Sequence, residues 1–263
     1  MERTYALGFD VYGTLVDPLA LAEPLQALVG EQAVRFAELW RTKQLEYSFR
    51  RGLMQRYVDF DACTRQALLY TQQALRCDLP ESDQGRLLET YLYLPTFPEV
   101  TAALTALKAQ DHRLMAFTNG VEVSIRALLS NAGVLPCLED VVSVDDLRTF
   151  KPDPAVYAYL ARRAGHAPGD TWLVSSNAWD VIGAKAAGLR AAWVRRQPEA
   201  VFDPWDVEPD VVVSRLDELA DCWLASRHKP PYRRSDCGDR PEQNCSGRSP
   251  RFDPGRARWP RLR

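Results

Sequence analysis

Short apolar segments alternate with longer amphipathic segments along most of this chain. The apolar runs that predict buried strands are residues 5–9, 113–117, 141–143, 173–174, 191–194 and 211–213. The segments whose apolar residues recur at helical spacing are residues 101–109, 123–132, 154–164 and 179–187. Gly188 suits the C-cap of the last of these helices. The alternation predicts an α/β fold, with a Rossmann-like parallel sheet that has helices on both faces.

One long helical region interrupts this alternation directly after the first strand. From Val16 to about Pro95 the pattern is helical, and Pro95 and Pro98 mark the return to alternating strands and helices. The residues that carry the helical spacing are Ala33, Phe36, Ala37, Trp40 and Gln44, and then Leu68, Leu69, Ala74 and Leu75. We therefore predict an α/β core domain over residues 1–16 and 96–225, and a helical cap domain over residues 17–95. Such an arrangement would enclose a cleft at the ends of the strands.

The last part of the chain differs in composition from the rest. From Ser226 onward there are 11 Lys and Arg and 4 Asp and Glu, against 22 and 31 in the remainder. This segment is rich in Arg, Pro, Gly and Ser and poor in apolar residues. We therefore predict a basic, disordered tail over residues 226–263. The acidic body argues against a nucleic-acid enzyme.

Cysteine content and hydropathy bear on the cellular location of the protein. The six cysteines form no Cys-x-x-Cys pair and there are three histidines, so no metal-ligand spacing is present. No apolar run is long enough to span a bilayer, and a strand begins almost at the first residue, so no cleavable signal is visible. We therefore expect a cytoplasmic protein with reduced thiols, no membrane partner and no nucleic-acid partner.

Three of the predicted strands end in polar residues of different chemistry. Asp10 ends the first strand and is followed by a turn at Gly13, and Thr118 and Asn119 end the second. The fourth strand is followed by Ser-Ser-Asn-Ala-Trp-Asp over residues 175–180. In open α/β sheets, ligands bind at the carboxyl ends of the strands. These three clusters therefore predict one active site that is assembled from three strand ends.

The polar clusters resemble a known enzyme family. Residues 9–15 (Phe-Asp-Val-Tyr-Gly-Thr-Leu), residues 175–180 and residues 39–48 (Leu-Trp-Arg-Thr-Lys-Gln-Leu-Glu-Tyr-Ser) resemble the 2-haloacid dehalogenases of the haloacid dehalogenase superfamily. The resemblance covers about residues 4 to 223. Most of that superfamily are phosphohydrolases with an Asp-x-Asp motif and an additional aspartate in the last motif. This chain has Tyr12 and Ser176 at those two acidic positions.

The resemblance implies a role for each candidate residue. The implied catalytic residues are Asp10 as nucleophile, Lys151 and Asp180 as its charged partners, and Thr14, Ser175 and Asn177 as hydrogen-bond donors that aim Asp10. On the substrate and halide side the implied residues are Arg41 and Asn119 for the leaving halide, Tyr12, Leu45, Phe60 and Trp179 as apolar walls, Thr118 in place of a serine common in the family, and Tyr157 as a brace. The residue that activates the hydrolytic water stays open among Asp180, Lys151, Ser175 and Asn177.

Charge counting separates the possible reactions. Asp10 and Asp180 balance Lys151 and Arg41, so the site would be neutral without a metal and could admit one substrate carboxylate. We therefore expect a hydrolase that needs no metal or cofactor and converts short (S)-2-haloalkanoic acids to (R)-2-hydroxyalkanoic acids through an aspartyl ester; the resemblance also implies a homodimer. The alternatives are a magnesium-dependent phosphatase that tolerates Tyr12, a carbon–nitrogen hydrolase acting on a small cyclic amino acid, and a non-catalytic carboxylate-binding protein. Chain length and preferred halogen stay open.

Overall fold

A computed structural model describes residues 4–227 of the protein. The first three residues, and the predicted tail from residue 228 onward, lie outside the described residues. No helix within residues 4–227 is long and apolar enough to cross a membrane. The cysteines in this part of the chain, Cys63, Cys77, Cys137 and Cys222, carry free thiols.

The described strands form one parallel sheet, as the sequence predicts. The strands are β1 (Ala6–Asp10), β2 (Arg113–Thr118), β3 (Asp140–Ser143), β4 (Thr171–Ser175), β5 (Arg190–Val194) and β6 (Val211–Val213). Their order in the sheet is β3-β2-β1-β4-β5-β6, and each neighbouring pair is parallel. Every residue of β1 is buried, because helices cover both faces of the sheet. This double burial explains why the strands appear in the sequence as short continuous apolar runs.

The helices fall into two groups along the chain. The described helices are α1 (Ala22–Val29), α2 (Ala33–Leu53), α3 (Phe60–Leu75), α4 (Glu81–Thr90), α5 (Val100–Lys108), α6 (Glu122–Asn131), α7 (Pro154–Ala164), α8 (Ala178–Ala186) and α9 (Glu218–Arg227). The structure confirms α5 to α8 within one or two residues of the predicted bounds. Helix α9 was not predicted, and it extends into the segment that was assigned to the tail. Its sequence signal is the helical spacing of Leu216, Leu219 and Ala220, which are buried against the core.

Local residue choices explain where several helices begin and end. The Asp59 side chain accepts a hydrogen bond from the Ala62 amide at 2.7 Å and so caps the start of α3. Asp153 caps α7 in the same way, ahead of a proline in its first turn. Gly188 follows the capping residue Ala187 at the end of α8 and has a φ of +85°, a left-handed conformation that favours glycine.

Residues 17–95, which we call the cap segment, contain α1 to α4 and follow β1 directly. Within this segment, the indole of Trp40 on α2 donates to the carbonyl of Thr64 on α3 at 2.8 Å, which fixes the pairing of the two helices. The segment also contacts α6, where the Ser124 hydroxyl donates to Asp61 at 2.8 Å. One hydrophobic cluster includes side chains from both parts. The assignment of residues 17–95 to a domain of their own stays a prediction.

Candidate active site

Asp10 lies at the carboxyl end of the central strand β1, where hydrogen bonds from three loops converge on it. Its Oδ2 accepts hydrogen bonds from the Thr14 hydroxyl at 3.1 Å and from the Asn177 amide at 2.8 Å. Its Oδ1 accepts one from the Lys151 ammonium at 3.1 Å. The side chain of Asp10 is 9% exposed, so its carboxylate is held in one orientation and has lost most of its water.

Lys151 places a buried positive charge between two carboxylates. Its Nζ lies 3.1 Å from Asp10 Oδ1, 2.8 Å from Asp180 Oδ2 and 2.9 Å from the carbonyl oxygen of Phe117. An ammonium has three hydrogens, so these three acceptors use all of them. Burial on its own would lower the pKa of Lys151, but the charges of Asp10 and Asp180 outweigh burial and raise the pKa above its ordinary value. Lys151 is therefore protonated at neutral pH.

Asp180 completes this buried charge cluster from the first turn of α8. Its Oδ1 accepts a hydrogen bond from the Tyr157 hydroxyl at 2.7 Å, while its Oδ2 accepts from Lys151. Burial raises the pKa of Asp180, and the Lys151 charge opposes that effect. Tyr157 is fully buried on α7 and lies behind Asp180, so it braces the carboxylate from the protein interior.

The close packing of α7 and α8 depends on Gly183. A Cβ atom at this position would overlap the Tyr157 hydroxyl and would lie 2.8 Å from the Cβ of Pro152. Pro152 follows Lys151, and Tyr157 holds Asp180. Gly183 therefore permits the approach that sets both charged side chains relative to each other.

Ser176 joins the loop after β4 to the loop after β1. Its amide donates to the Thr14 hydroxyl oxygen at 2.9 Å, and its own hydroxyl donates to the Gly13 carbonyl at 2.7 Å. Because Thr14 accepts from Ser176, the hydroxyl hydrogen of Thr14 is free to point at Asp10. Gly13 has a φ of +91°, which favours glycine at the turn. Sequence reasoning treated Ser176 as a missing acid and missed this positioning role.

Ser175 has a different contact from the one that the sequence predicted. It was expected to donate a hydrogen bond that aims Asp10. Its hydroxyl oxygen instead accepts from the Asn177 amide at 3.1 Å, and it makes no hydrogen bond to Asp10 among the residues described. The backbone bends between β4 and α8, which leaves the Ser175 hydroxyl facing the amide two residues ahead. Ser175 therefore orients Asn177, which in turn contacts Asp10.

Thr118 and Asn119, at the end of β2, are both buried. The Asn119 Oδ1 accepts from the backbone amide of Lys151 at 2.9 Å, which leaves the amide hydrogens of Asn119 as its available donors. The Thr118 hydroxyl oxygen accepts from the Gly120 amide at 3.0 Å. The amide hydrogens of Asn119 are thus available to an anion, and its halide role stays a prediction.

Arg41 reaches the nucleophile loop from α2 of the cap segment. Its guanidinium donates to the Tyr12 carbonyl at 3.4 Å and to the side chain of Gln44 at 2.7 Å. Gln44 is fully buried and donates to the Thr64 hydroxyl of α3 at 2.6 Å. Burial lowers the pKa of Arg41, but a guanidinium stays protonated in proteins. Gln44 entered the sequence reasoning only through its helical spacing, and its role as a support for Arg41 was missed.

Aromatic rings line the cap side of the site. The Tyr12 ring stacks on Phe60 with centroids 6.0 Å apart and meets the edge of Tyr91 at 5.9 Å. Burial raises the pKa of both Tyr12 and Tyr91, so both phenols are neutral. Trp179 packs against Phe49 of α2 at 5.0 Å. Leu45 is half-buried one turn after Arg41, and its place in the predicted wall stays a prediction.

A long-range ion pair supports the nucleophile loop from outside. The Arg196 guanidinium donates to the Thr14 carbonyl at 2.5 Å and pairs with the buried carboxylate of Glu99. It also lies over the Phe97 ring, 3.8 Å from its centroid. Sequence reasoning missed this support because 97 residues separate Glu99 from Arg196 and no local motif links them.

Comparisons with known proteins identify the family to which this site belongs. Residues 6–188 match the family model of the haloacid dehalogenase-like hydrolases. Haloacetate dehalogenase H-2 of Moraxella sp. (strain B) is 37% identical over 219 residues, which are 83% of this chain and 97% of that protein. An (S)-2-haloacid dehalogenase of Pseudomonas putida is 35% identical over 226 residues, which are 86% of this chain and 99% of that protein.

A solved structure is similar over the same length. It is the L-2-haloacid dehalogenase of Xanthobacter autotrophicus with chloropropionic acid covalently bound. It has a TM-score of 0.78 and 31% sequence identity, and the match covers 86% of this chain and 100% of that chain. Sequence and fold therefore point to the same group of proteins.

Proposed function

Because the chain belongs to the haloacid dehalogenase-like hydrolase family, we propose that it hydrolyses short (S)-2-haloalkanoic acids to (R)-2-hydroxyalkanoic acids through an ester on Asp10. The observation that carries this function is the setting of Asp10. Its carboxylate is nearly buried and oriented by Thr14, Lys151 and Asn177. The protonated Arg41 and the ring of Tyr12 face it from the other side of the site. The similar (S)-2-haloacid dehalogenases support the same substrate class.

In the first step, an oxygen of the Asp10 carboxylate attacks carbon 2 of the substrate from the side opposite the halogen. A carbon–oxygen bond forms, the carbon–halogen bond breaks with its electron pair, and the configuration inverts at that carbon. Orientation and partial desolvation make a carboxylate effective in such a displacement. Arg41 and the amide hydrogens of Asn119 stabilise the departing halide, because a developing anion in a dry pocket needs preorganised donors.

In the second step, water attacks the carbonyl carbon of the Asp10 ester. Thr14 and Asn177 donate to the oxygen that becomes the oxyanion, and the bond to the substrate oxygen then breaks. That oxygen takes up the proton that the base removed from water, the Asp10 carboxylate is restored, and the hydroxyacid leaves. Lys151 cannot act as the base, because its raised pKa keeps it protonated. Asp180 shares the Lys151 ammonium with Asp10 and is the remaining carboxylate of the cluster, so we assign it to water activation.

The chemistry of the donor set argues for a reaction without a bound metal. Lys151 supplies the positive charge between Asp10 and Asp180, and its three hydrogens are already used by acceptors. The two positions that are acidic in the phosphohydrolase motifs hold Tyr12 and Ser176. Tyr12 is packed among rings, and Ser176 is bonded to Gly13 and Thr14.

The decisive experiment is a halide-release assay on the two enantiomers of 2-chloropropionate, with and without a chelator. We expect release from the (S) enantiomer, (R)-lactate as product and no effect of the chelator. A single turnover in water labelled with oxygen-18, with enzyme in excess, should place the label in the Asp10 carboxylate. Label in the lactate alone would contradict an aspartyl ester. Activity on phosphate esters that is lost with chelator would favour the phosphatase.

Three further properties belong to this proposal. The family resemblance implies a homodimer, which sedimentation or scattering in solution would test. The free thiols of the described cysteines suit a cytoplasmic protein. Residues 17–95 would act as a cap domain that contributes Arg41 to the site, and limited proteolysis near residues 17 and 95 would test whether they form a separate unit.

A further inference from the structure

Three cavities reach residues of the proposed site from different directions, and they differ in charge. The first lies between α3, α4 and Tyr12, has a volume of about 350 Å³, and is lined by Asp61, Glu89 and Arg65 among its charged residues. The second lies beside Lys151 and Trp179, has a volume of about 550 Å³, and is mainly apolar. The third lies between the start of the cap segment and the loop after β5, and has a volume of about 450 Å³.

The third cavity, which we call the cationic vestibule, is the one suited to an anion. Its charged lining residues are Arg41, Arg195, Arg196 and a single acid, Asp17. Asn177 and Tyr12 form its inner wall, and Asn177 is the residue that donates to Asp10. The exposed residues Leu19 and Gln197 lie at its rim. A small carboxylate that enters here meets an excess of positive charge directly beside the nucleophile.

The other two cavities lack this property. Two acids and one arginine line the first, so its local charge disfavours an incoming carboxylate. In the second cavity the charge of Lys151 is already matched by Asp10 and Asp180, and the remaining charged lining residue is Asp153. A cleft that is lined by charges of one sign raises the local concentration of oppositely charged ligands. Electrostatics therefore selects the cationic vestibule among these three routes.

Arg195 is the guanidinium of the vestibule that has no protein partner. Arg196 is held by Glu99 and the Thr14 carbonyl, and Arg41 by Gln44 and the Tyr12 carbonyl. Arg195 makes no side-chain hydrogen bond and no ion pair with any residue in the described range of 4–227. Its Nε is buried without a partner, as is that of Arg196, but the other guanidinium nitrogens of Arg196 are bonded to Glu99 and Thr14. Arg195 is therefore the vestibule guanidinium that can bind an anion without giving up a hydrogen bond to the described protein.

We propose that the cationic vestibule is the entry and capture site for the substrate carboxylate, with Arg195 as the residue that binds it on the way to Asp10. This inference rests on the proposed dehalogenase function for the identity of the anion, a short 2-haloalkanoate. Arg195 takes no part in the displacement or in the ester hydrolysis. Its charge raises the local concentration of anions, an effect that salt screens over about 8–10 Å at ionic strengths of 0.1–0.15 M.

The kinetic test compares Arg195→Gln with Arg35→Gln. Arg35 is exposed on α2 and makes no ion pair in the described structure, so its replacement changes the net charge equally without touching the vestibule. We expect Arg195→Gln to lower kcat/KM for (S)-2-chloropropionate by roughly three- to tenfold at low salt, with a much smaller change in kcat. The difference between the two variants should shrink as salt rises. Equal kcat/KM values for the two variants at low salt would overturn the proposal.

A second arm does not depend on turnover. Crystals of the wild type and of Arg195→Gln are soaked in sodium bromide, and the anomalous signal of bromide is located. We expect bromide beside Arg195 in the wild type and its loss from that position in the variant. Wild-type crystals without bromide in the vestibule would overturn the anion site. If the wild type binds bromide there but releases no halide from any 2-haloacid, the anion site stands and the proposed function fails.

Discussion

The core side and the cap side of the site are held in different ways. On the core side, the Lys151 ammonium lies 3.1 Å from Asp10 and 2.8 Å from Asp180, which leaves one net negative charge. Asn177 and Tyr157 donate further hydrogen bonds to these two carboxylates. On the cap side, Arg41 is held by the neutral oxygens of Gln44 and Tyr12 and makes no ion pair in the described structure. Each charged group of the core side therefore has an ionic partner before substrate binds, whereas Arg41 on the cap side has none in the described structure.

This difference shows on which side of the site the same residues support both the stability of the fold and the reaction. Removal of the shared cation from this buried cluster would leave two carboxylates uncompensated, so the core side cannot lose Lys151 without cost to stability. Removal of Arg41 leaves neutral oxygens and an aromatic wall, which tolerate the loss. We expect loss of the core-side cation to lower stability together with activity, and loss of the cap-side cation to lower activity alone.

The largest effect should come from Asp10→Asn, which removes the nucleophile with little change of shape. We expect halide release to fall by roughly 10⁴-fold or more, the scale seen when a hydrolase loses its nucleophile. Asp146→Asn, the same change on an exposed acid, should keep full activity. Halide release by the purified variants measures both, with mass spectrometry to exclude deamidation back to aspartate. Undiminished release by Asp10→Asn would remove Asp10 from the covalent step.

Lys151→Met should come next, because it breaks the buried cluster on the core side. We expect a loss of about 3–5 kcal/mol in the free energy of unfolding, together with loss of activity. Lys185→Met removes a lysine that is paired with Asp210 at 2.8 Å but is partly exposed, and it should cost below about 1 kcal/mol. Urea denaturation of both variants measures the comparison. A small cost for Lys151→Met would contradict the picture of a coupled core side.

The difference in stability between the wild type and Lys151→Met should depend on pH in a defined direction. The pKa of Lys151 is raised in the folded protein above its ordinary value of 10.5. The stability that its charge contributes is therefore fully present below pH 10.5 and is lost as the pH rises through the folded value. The advantage of the wild type over Lys151→Met should be constant from neutral pH to about pH 10 and should shrink above it.

Arg41→Ala tests the cap side, and its effect should fall on chemistry alone. Loss of one preorganised stabilising group costs about 2.7–4 kcal/mol, or roughly 10²–10³ in rate. The free energy of unfolding should change by less than about 1 kcal/mol, because alanine suits a helix and Arg41 has no ion-pair partner. The rate loss should be greater for a chloro- than for an iodo-substrate, since chloride is the poorer leaving group. Rapid-mixing measurements on matched substrates give the two rates.

The outcomes for Arg41 separate two roles. Equal losses for chloride and iodide would assign Arg41 to the substrate carboxylate and not to the halide. No loss for either would remove it from the site. Arg41→Lys keeps a positive charge but not the planar fork that bonds Tyr12 and Gln44, so its rate should fall between those of the wild type and Arg41→Ala.

A pair of glycine substitutions should give the smallest effects, and it compares the packing of the core side directly with that of the cap segment. Gly183→Ala on the core side places a methyl group against Tyr157 and Pro152, and overpacking of this kind costs about 1–3 kcal/mol. Gly85→Ala in α4 of the cap segment meets no atom within 4 Å, and should stabilise that helix by about 0.5–1 kcal/mol. Thermal denaturation measures both. Similar shifts for the two variants would show that the core side is no more tightly packed than the cap segment.

Most of the sheet and of the core side could be predicted from the sequence. Strands buried on both faces appear as apolar runs, and their polar ends mark Asp10, Asn177 and Asp180 as neighbours across the sheet. The helix α9 was missed because its few buried residues adjoin a segment of very different composition. Cap helices were predicted as a group, but their bounds follow from contacts such as that of Trp40 with Thr64, which no local pattern encodes.

The supporting contacts of the site could not be predicted in this way. Ser175 was expected to donate to Asp10, but the bend after β4 turns its hydroxyl toward the Asn177 amide. The pairing of Glu99 with Arg196 and that of Arg41 with Gln44 depend on how distant elements pack. A sequence motif identifies the residue types that the chemistry needs, whereas the residues that aim them follow from tertiary structure.

The packing of Tyr12 also bears on how this lineage can change its chemistry. Its ring lies between Phe60 and Tyr91, and its carbonyl accepts hydrogen bonds from Arg41 and Asn177. An aspartate at this position would be desolvated among aromatic rings, so we expect Tyr12→Asp to lower the midpoint of denaturation before it creates phosphatase activity. The effect of Tyr12→Asp thus depends on the surrounding residues: substitutions that open the aromatic wall of Phe60 and Tyr91 must come before the aspartate is introduced. A change of this site toward phosphate esters through Tyr12→Asp alone would therefore pass through a less stable protein.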